Sequence, residues 1–192
     1  MTGRNESTTG KCAGRGCIQL LRRYASDYRG LAAVEFALIL PLMLAFYLGG
    51  IEMTNMLVAN RRVTAVAYTA ADLTAQSASL NDSDIADIFA ASATILQPFN
   101  TEPLTVRITS VVTNASNVAR VAWSDGFQIA PRAVNSSVTL PAGLTTPGSS
   151  VIFVETTYGY ASPVGEMIAG TVNFSETAYL KPRRAVQITR SN

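Results

Sequence analysis

Few residues in this 192-residue chain could do chemistry, and they are unevenly placed. There is no histidine, which removes Ser-His and Cys-His catalysis, imidazole acid–base steps and most zinc or haem sites. Cys12 and Cys17 lie in the first twenty residues, so they cannot staple the body of the chain, and a C-x4-C pair without a second ligand pair is weak as a metal site. Asp82, Asp84 and Asp87 read better as charges at a helix N-terminus than as metal ligands. No Gly-rich phosphate loop, paired catalytic carboxylates or calcium loop is present. No catalytic residue, cofactor, metal or small-molecule substrate is therefore expected. A net charge of +2 does not suggest nucleic acid as a partner. One carboxylate stands out. Glu35 is the sole charge in LAAVEFALILPLMLAFYLGGI, residues 31–51. A carboxylate at the centre of a bilayer costs about 2.5–3.5 kcal/mol on insertion scales. Glu35 is only five residues into the segment, near the interface and near the first helical turn, where the dipole favours negative charge. A tolerated boundary glutamate is the bland reading.

The elements that position it follow from charge and hydropathy. Charged residues make up 15% of the chain, below the roughly 25% of ordinary soluble domains. Residues 1–30 hold Arg4, Lys11, Arg15, Arg22, Arg23 and Arg29 against Glu6 and Asp27, a balance of +4. Residues 31–192 hold nine basic and eleven acidic side chains, a balance of −2. About 20 mainly apolar residues suffice to cross a bilayer as a helix, and basic flanks stay cytoplasmic. The expected topology is one span at 31–51, N-terminus inside and body outside. A cleaved secretory signal with Leu38–Leu48 as its apolar region is a second reading, but the basic region is long and no clear A-x-A site follows. A buried core helix is a third, and it leaves the basic cluster and the run Ala37–Ile51 unexplained.

Helical spacing continues past the span. Met53, Met56, Leu57, Asn60, Val63, Ala67 and Ala71 recur at three and four residues. A helix from Leu31 to about Gln76 is expected, roughly 70 Å long, with a kink or local break at Pro41 or Gly49-Gly50. Small residues such as Ala33, Ala37 and Gly49 would let partner helices approach, or are ordinary membrane-helix composition. Arg61 and Arg62 are expected in solvent, with lipid head groups as the alternative. After a turn at Ser77–Ser83, with Asp82 or Ser83 as N-cap, a second helix is expected over Asp84–Leu96. Its buried face would be Ile85, Ile88, Phe89 and Ile95 or Leu96. Strands are expected at Leu104–Thr113, Asn117–Ser124, Val151–Tyr160 and Thr171–Leu180, with Trp123 in the core and Pro131–Ser149 a surface connection. The fold class is α+β: a long N-terminal helix packed on a small, mainly antiparallel sheet, with a second short helix. The organisation is a basic leader 1–30, a helix 31–76 containing the span, and a head 77–192.

The sequence Arg29-Gly30-Leu31-Ala32-Ala33-Val34-Glu35-Phe36, followed by an apolar run, resembles the prepilin-peptidase site of type IV pilins. The resemblance implies a cut between Gly30 and Leu31, making Glu35 the fifth residue of the mature chain with Phe36 in the aromatic position beside it. Glycine suits such a site because a protease takes the backbone extended and Gly resists being held in a helix. The cut would free an α-amine at Leu31, largely protonated at neutral pH. That amine is a natural partner for the Glu35 carboxylate of a neighbouring subunit in lipid. More narrowly, residues 29–63 resemble the N-terminal region of TadE-like and TadG-like proteins of the tight-adherence (Tad, or Flp) pilus machinery. They share an AAVEFAL core, a proline within the span (Pro41) and Gly-Gly-Ile-Glu at its outer end. VIFVETTYGYASPVG (151–165) and SETAYLKPRR (175–184) resemble the strand, Tyr-containing turn and closing Y-x-[KR]-P-R of TadE-like proteins.

A major Flp pilin is much shorter than the 162 residues that would follow the cut. Larger TadG-like proteins carry a D-x-S-x-S metal motif that Asp82-Ser83-Asp84 does not match. The resemblance implies a TadE-type minor pilin or pseudopilin with a pilin-like fold, not an enzyme. Its partners would be a prepilin peptidase, other pilins, Tad assembly proteins and the bacterial inner membrane, with the head periplasmic. The alternatives are an uncleaved bitopic scaffold of the Tad secretion complex and a membrane-anchored periplasmic binding protein.

Overall fold

The computed structural model describes residues 30–162 and 170–191. The leader up to Arg29, with Cys12 and Cys17, and residues 163–165 of the C-terminal motif lie outside them. The chain divides into two compact units, Met1–Gly49 and Gly50–Asn192, and one 45-residue helix, α1 (Leu31–Ala75), crosses that boundary. In the first unit every residue from 30 to 49 is exposed. The helix continues through Pro41 and through Gly49-Gly50, so the expected local break is absent. A proline removes one backbone donor and each glycine costs about 1 kcal/mol; the other hydrogen bonds of so long a helix carry both.

In the second unit α1 becomes amphipathic. Ala59, Val63, Val66, Ala67, Ala70 and Ala71 are buried, again at three- and four-residue spacing. Val63, Ala67 and Ala71 lie on the expected face, whereas Met53 and Leu57 are exposed, so burial starts later than the periodicity suggests. The alanines let the helix backbone come close to the sheet, and each buried valine contributes about 1.5–3 kcal/mol. After β1 (Ser79–Leu80) comes α2 (Asp82–Thr94). Its N-cap is Asn81, not Asp82 or Ser83. Asn81 Oδ1 accepts from the Asp84 N–H at 2.8 Å and Asp84 Oδ2 accepts from the Asn81 N–H at 3.0 Å. Only Asn81 has a carboxylate three residues on that closes this reciprocal pair, so α2 starts two residues earlier than expected. Ile85, Ile88, Phe89 and, just past the helix, Leu96 are buried as anticipated.

Four strands, β2 (Leu104–Thr113), β3 (Ala119–Phe127), β4 (Ser150–Tyr160) and β5 (Val172–Leu180), form an antiparallel sheet in the order β3-β2-β4-β5. Val106, Ile108, Ile152, Val154 and Trp123 join the core beneath α1 and α2. A bulge in β3 decides where Trp123 points. Ser110 pairs with Trp123 but Val111 pairs with Val121, so Ala122 is the extra residue. In an unbroken strand Val121 and Trp123 share a face; the bulge sends Trp123 into the main core and leaves Val121 opposite Val111 on the other side. On that side Val111, Val151 and Phe153 form a second small cluster with Val138, Leu140 and Leu144. The irregular connection 131–149 is thus a lid over apolar surface, more than the surface loop its prolines imply. A final short strand, β6 (Thr189–Arg190), pairs parallel with β1. Two residues carry no periodicity, so nothing in the sequence announces this pairing.

Candidate assembly segment

The residues singled out in the sequence stand together at the start of α1. Gly30 directly precedes the helix, is exposed, and has nothing within 4 Å of where a Cβ would sit. Leu31 is 53% and Phe36 58% exposed. Glu35 is exposed too and makes no hydrogen bond or ion pair with any described residue. It is the fifth helical residue, one place beyond a first turn that holds no acid, so the dipole helps it less than expected. Apolar side chains follow without cover: Leu38, Phe46 and Tyr47 are each at least two-thirds exposed. The helix is long and apolar enough to cross a bilayer, and none of its most apolar window is buried. That observation disfavours the buried-core-helix reading.

The head holds its own stretch of α1 through residues that sequence reasoning missed or misplaced. Tyr160 Oη donates to Glu52 Oε1 at 3.0 Å; burial first, and then that hydrogen bond, push the hydroxyl up to about 12, so it is a neutral donor at physiological pH. Arg62, expected in solvent, donates to the Ile95 carbonyl at 2.8 Å, where a cation satisfies the C-terminal end of α2. Arg183, in the K-P-R run, closes α1: its N–H donates to the Ala75 carbonyl at 2.9 Å and its guanidinium pairs with Asp72. Arg190 joins β6 to Asp125 at 3.0 Å and to Asp82, and these carboxylates raise its pKa. The K-P-R run was the only one of these signals visible in the sequence.

On the other sheet face Glu155 receives Arg107 and Arg132, each at 2.8 Å, and the Arg132 guanidinium lies 5.5 Å from the Phe153 ring centroid. Burial pushes the Glu155 carboxyl up, but hydrogen bonds and charge from the two arginines outweigh it and hold it below the usual range. A lowered folded pKa means a contribution to stability that is present above the unfolded value of about 4.3 and lost as pH falls through the folded one. Glu155→Gln should cost about 1–3 kcal/mol at neutral pH, the range for hydrogen bonds to charged groups, reduced by partial exposure. Urea unfolding of both proteins should show that deficit shrinking in acid; a pH-independent deficit would contradict the assignment.

Two clefts, about 360 Å³ beside Val118 and Val138 and about 410 Å³ beside Leu80 and Arg184, do not include Glu155.

An exposed apolar N-terminal helix joined to a small antiparallel sheet with a second short helix defines an α+β protein suited to single-pass anchoring. The family model described as TadE-like protein matches residues 30–72. By that match, the N-terminal helix is similar to that of TadE-like proteins. The match covers Gly30, Glu35, Phe36 and Pro41 and stops short of the resemblances at 151–165 and 175–184. No curated protein and no solved structure matches the chain.

Proposed function

We propose that the chain is a minor pilin or pseudopilin of a Flp/Tad-type pilus. It is inserted in the bacterial inner membrane with the leader 1–30 cytoplasmic and the head 77–192 periplasmic. A prepilin peptidase trims it after Gly30, and it assembles with other pilins and Tad proteins through the helix 31–76. One observation carries the reading: the TadE-like match begins at Gly30, directly before a helix whose residues as far as Gly49 are all exposed and include one carboxylate, Glu35, without a partner among the described residues. Cohesion comes from apolar helix packing. Register comes from the Glu35 carboxylate and the new Leu31 amine of a neighbouring subunit.

Intact mass of the membrane-extracted protein tests the cut. A mature N-terminus at Leu31, lost in a Gly30→Trp variant that accumulates at full length, is the expected result. A chain starting at Met1 or Thr2 fits the uncleaved bitopic scaffold instead, and a Gly30→Trp variant of unchanged mature mass rejects the site.

A further inference from the structure

We propose that the outer edge of β5 is a docking site for an extended strand of a different protein, one that places a Lys or Arg opposite Glu176. The inference uses the head alone and rests on neither the cut after Gly30 nor the membrane span. β3 and β5 are the outer strands of the four-stranded sheet, and their free edges are treated differently. Along β3 the connection closes the edge. The Val121 N–H donates to the Ser136 carbonyl at 3.0 Å, the Asn135 N–H to the Val121 carbonyl at 2.9 Å and the Val138 N–H to the Ala119 carbonyl at 3.1 Å. Along β5 no described residue outside β4 makes a backbone–backbone hydrogen bond. Past Leu180 the chain leaves this edge for the main core, where Ile188 is buried and its carbonyl accepts from Trp123.

In an antiparallel strand with one neighbour, every second residue turns its N–H and C=O away from that neighbour. β5 keeps unbroken register with β4 over its 9 residues and carries no proline, lysine or bulge. Proteins normally blunt such an edge with one of those devices, because a row of unpaired groups is a template for another strand. The one device present is Glu176. Phe174, Ala178 and Leu180, of the same alternation, pack on the main core, so Glu176 is on the core side. It is half-buried and makes no hydrogen bond or ion pair with any described residue. Directly opposite it on β4, the buried Thr156 hydroxyl has no partner either.

An inward-pointing charge bars indiscriminate strand addition and makes the edge selective. Opposite charges facing one another across strands stabilise the pair, and like charges destabilise it. A cation facing Glu176 is therefore the match. The β5 of a second copy cannot supply one. Residues directly opposite share a face, and the core-side positions of β5 are Val172, Phe174, Glu176, Ala178 and Leu180, none of them basic. The occupant is a strand with a Lys or Arg at its middle and apolar side chains two residues to either side, where they meet Phe174 and Ala178.

The probes are two end-blocked peptides of alternating Val and Thr, as long as β5, with the central Val replaced by Lys in one and by Glu in the other. Each is added to the full chain in detergent micelles, and peptide anisotropy and amide hydrogen exchange along β5 are measured. In the free chain alternate β5 amides should exchange freely, and the Lys peptide should slow them about tenfold or more. The Lys peptide should bind several-fold tighter than the Glu peptide, and a Glu176→Lys chain should reverse that preference. If that variant does not fold, the two peptides on the wild-type chain still decide. No slowing of β5 exchange by millimolar Lys peptide overturns the docking site, as do β5 amides already protected in a monomeric chain. Equal binding of the two peptides overturns the charge-selected partner. Protection of β5 that rises with protein concentration, without peptide, identifies a second copy as the occupant and overturns the proposal.

Discussion

A Glu35→Gln chain should insert and be trimmed like the wild type yet fall out of assemblies by about two to three and a half orders of magnitude. The magnitude follows from breaking a buried ion pair by removing one partner, about 3–5 kcal/mol, with roughly 1.4 kcal/mol per factor of ten. Within one chain the substitution removes nothing, because Glu35 is exposed and has no partner among the described residues. In a membrane the lone subunit gains, since the amide avoids a carboxylate cost of up to about 2.5–3.5 kcal/mol. The assembled subunit loses, because the Leu31 amine of its neighbour is left charged and unpaired in lipid. Opposite signs separate this reading from a glutamate merely tolerated near the interface, for which assembly is unaffected. The measurement is the ratio of variant to wild type in isolated assemblies against the same ratio in the membrane pool. Equal ratios sink the pairing, and a Glu35→Asp chain, which keeps the charge on a shorter arm, should fall between.

Trp123→Ala should cost the head about 3–5 kcal/mol, a large share of the roughly 5–15 kcal/mol that holds a domain together. Trp123 is 6% exposed and its indole N–H donates to the Ile188 carbonyl at 2.8 Å. Truncation therefore opens a cavity and strips a buried carbonyl of its donor. Ile188 is fully buried and leads directly into β6, so release of the C-terminal strand from β1 should accompany the loss. Urea unfolding of the full chain in detergent measures the effect. Trp123→Phe, which keeps most of the ring but not the donor, isolates the hydrogen bond at about 1 kcal/mol. A Trp123→Ala deficit below about 1 kcal/mol would mean that this side chain is not a core anchor.

Much of the fold was legible because its larger elements carry period. The spacing of Val63, Ala67 and Ala71 marks a helix, β2 is found at its expected bounds, and Pro131–Ser149 is irregular as its prolines imply. What was not legible depends on contacts distant in sequence. The Arg62 donor reaches across 33 residues to Ile95, and Tyr160 reaches across 108 to Glu52. The Arg107–Glu155–Arg132 cluster exists because β2 and β4 register Arg107 against Glu155 and the connection brings Arg132 over them. No local pattern contains those distances. The proposed assembly role of Gly30, Glu35 and Phe36 is the opposite case, since it rests on consecutive residues.

By themselves, the residues of this chain determined where an apolar helix begins, that one carboxylate interrupts it, and that an α+β head follows. Hydropathy, charge asymmetry and helical period are local quantities and need no fold to be read. The tertiary structure decided which helix face is buried, that Asn81 caps α2, and that a bulge at Ala122 turns Trp123 toward the helices. It also decided that Arg183 and Arg190 close the ends of the head. Each of these depends on which backbone groups and apolar faces come opposite one another after strand pairing. A residue's options are local, but the partner that selects among them is supplied by the fold.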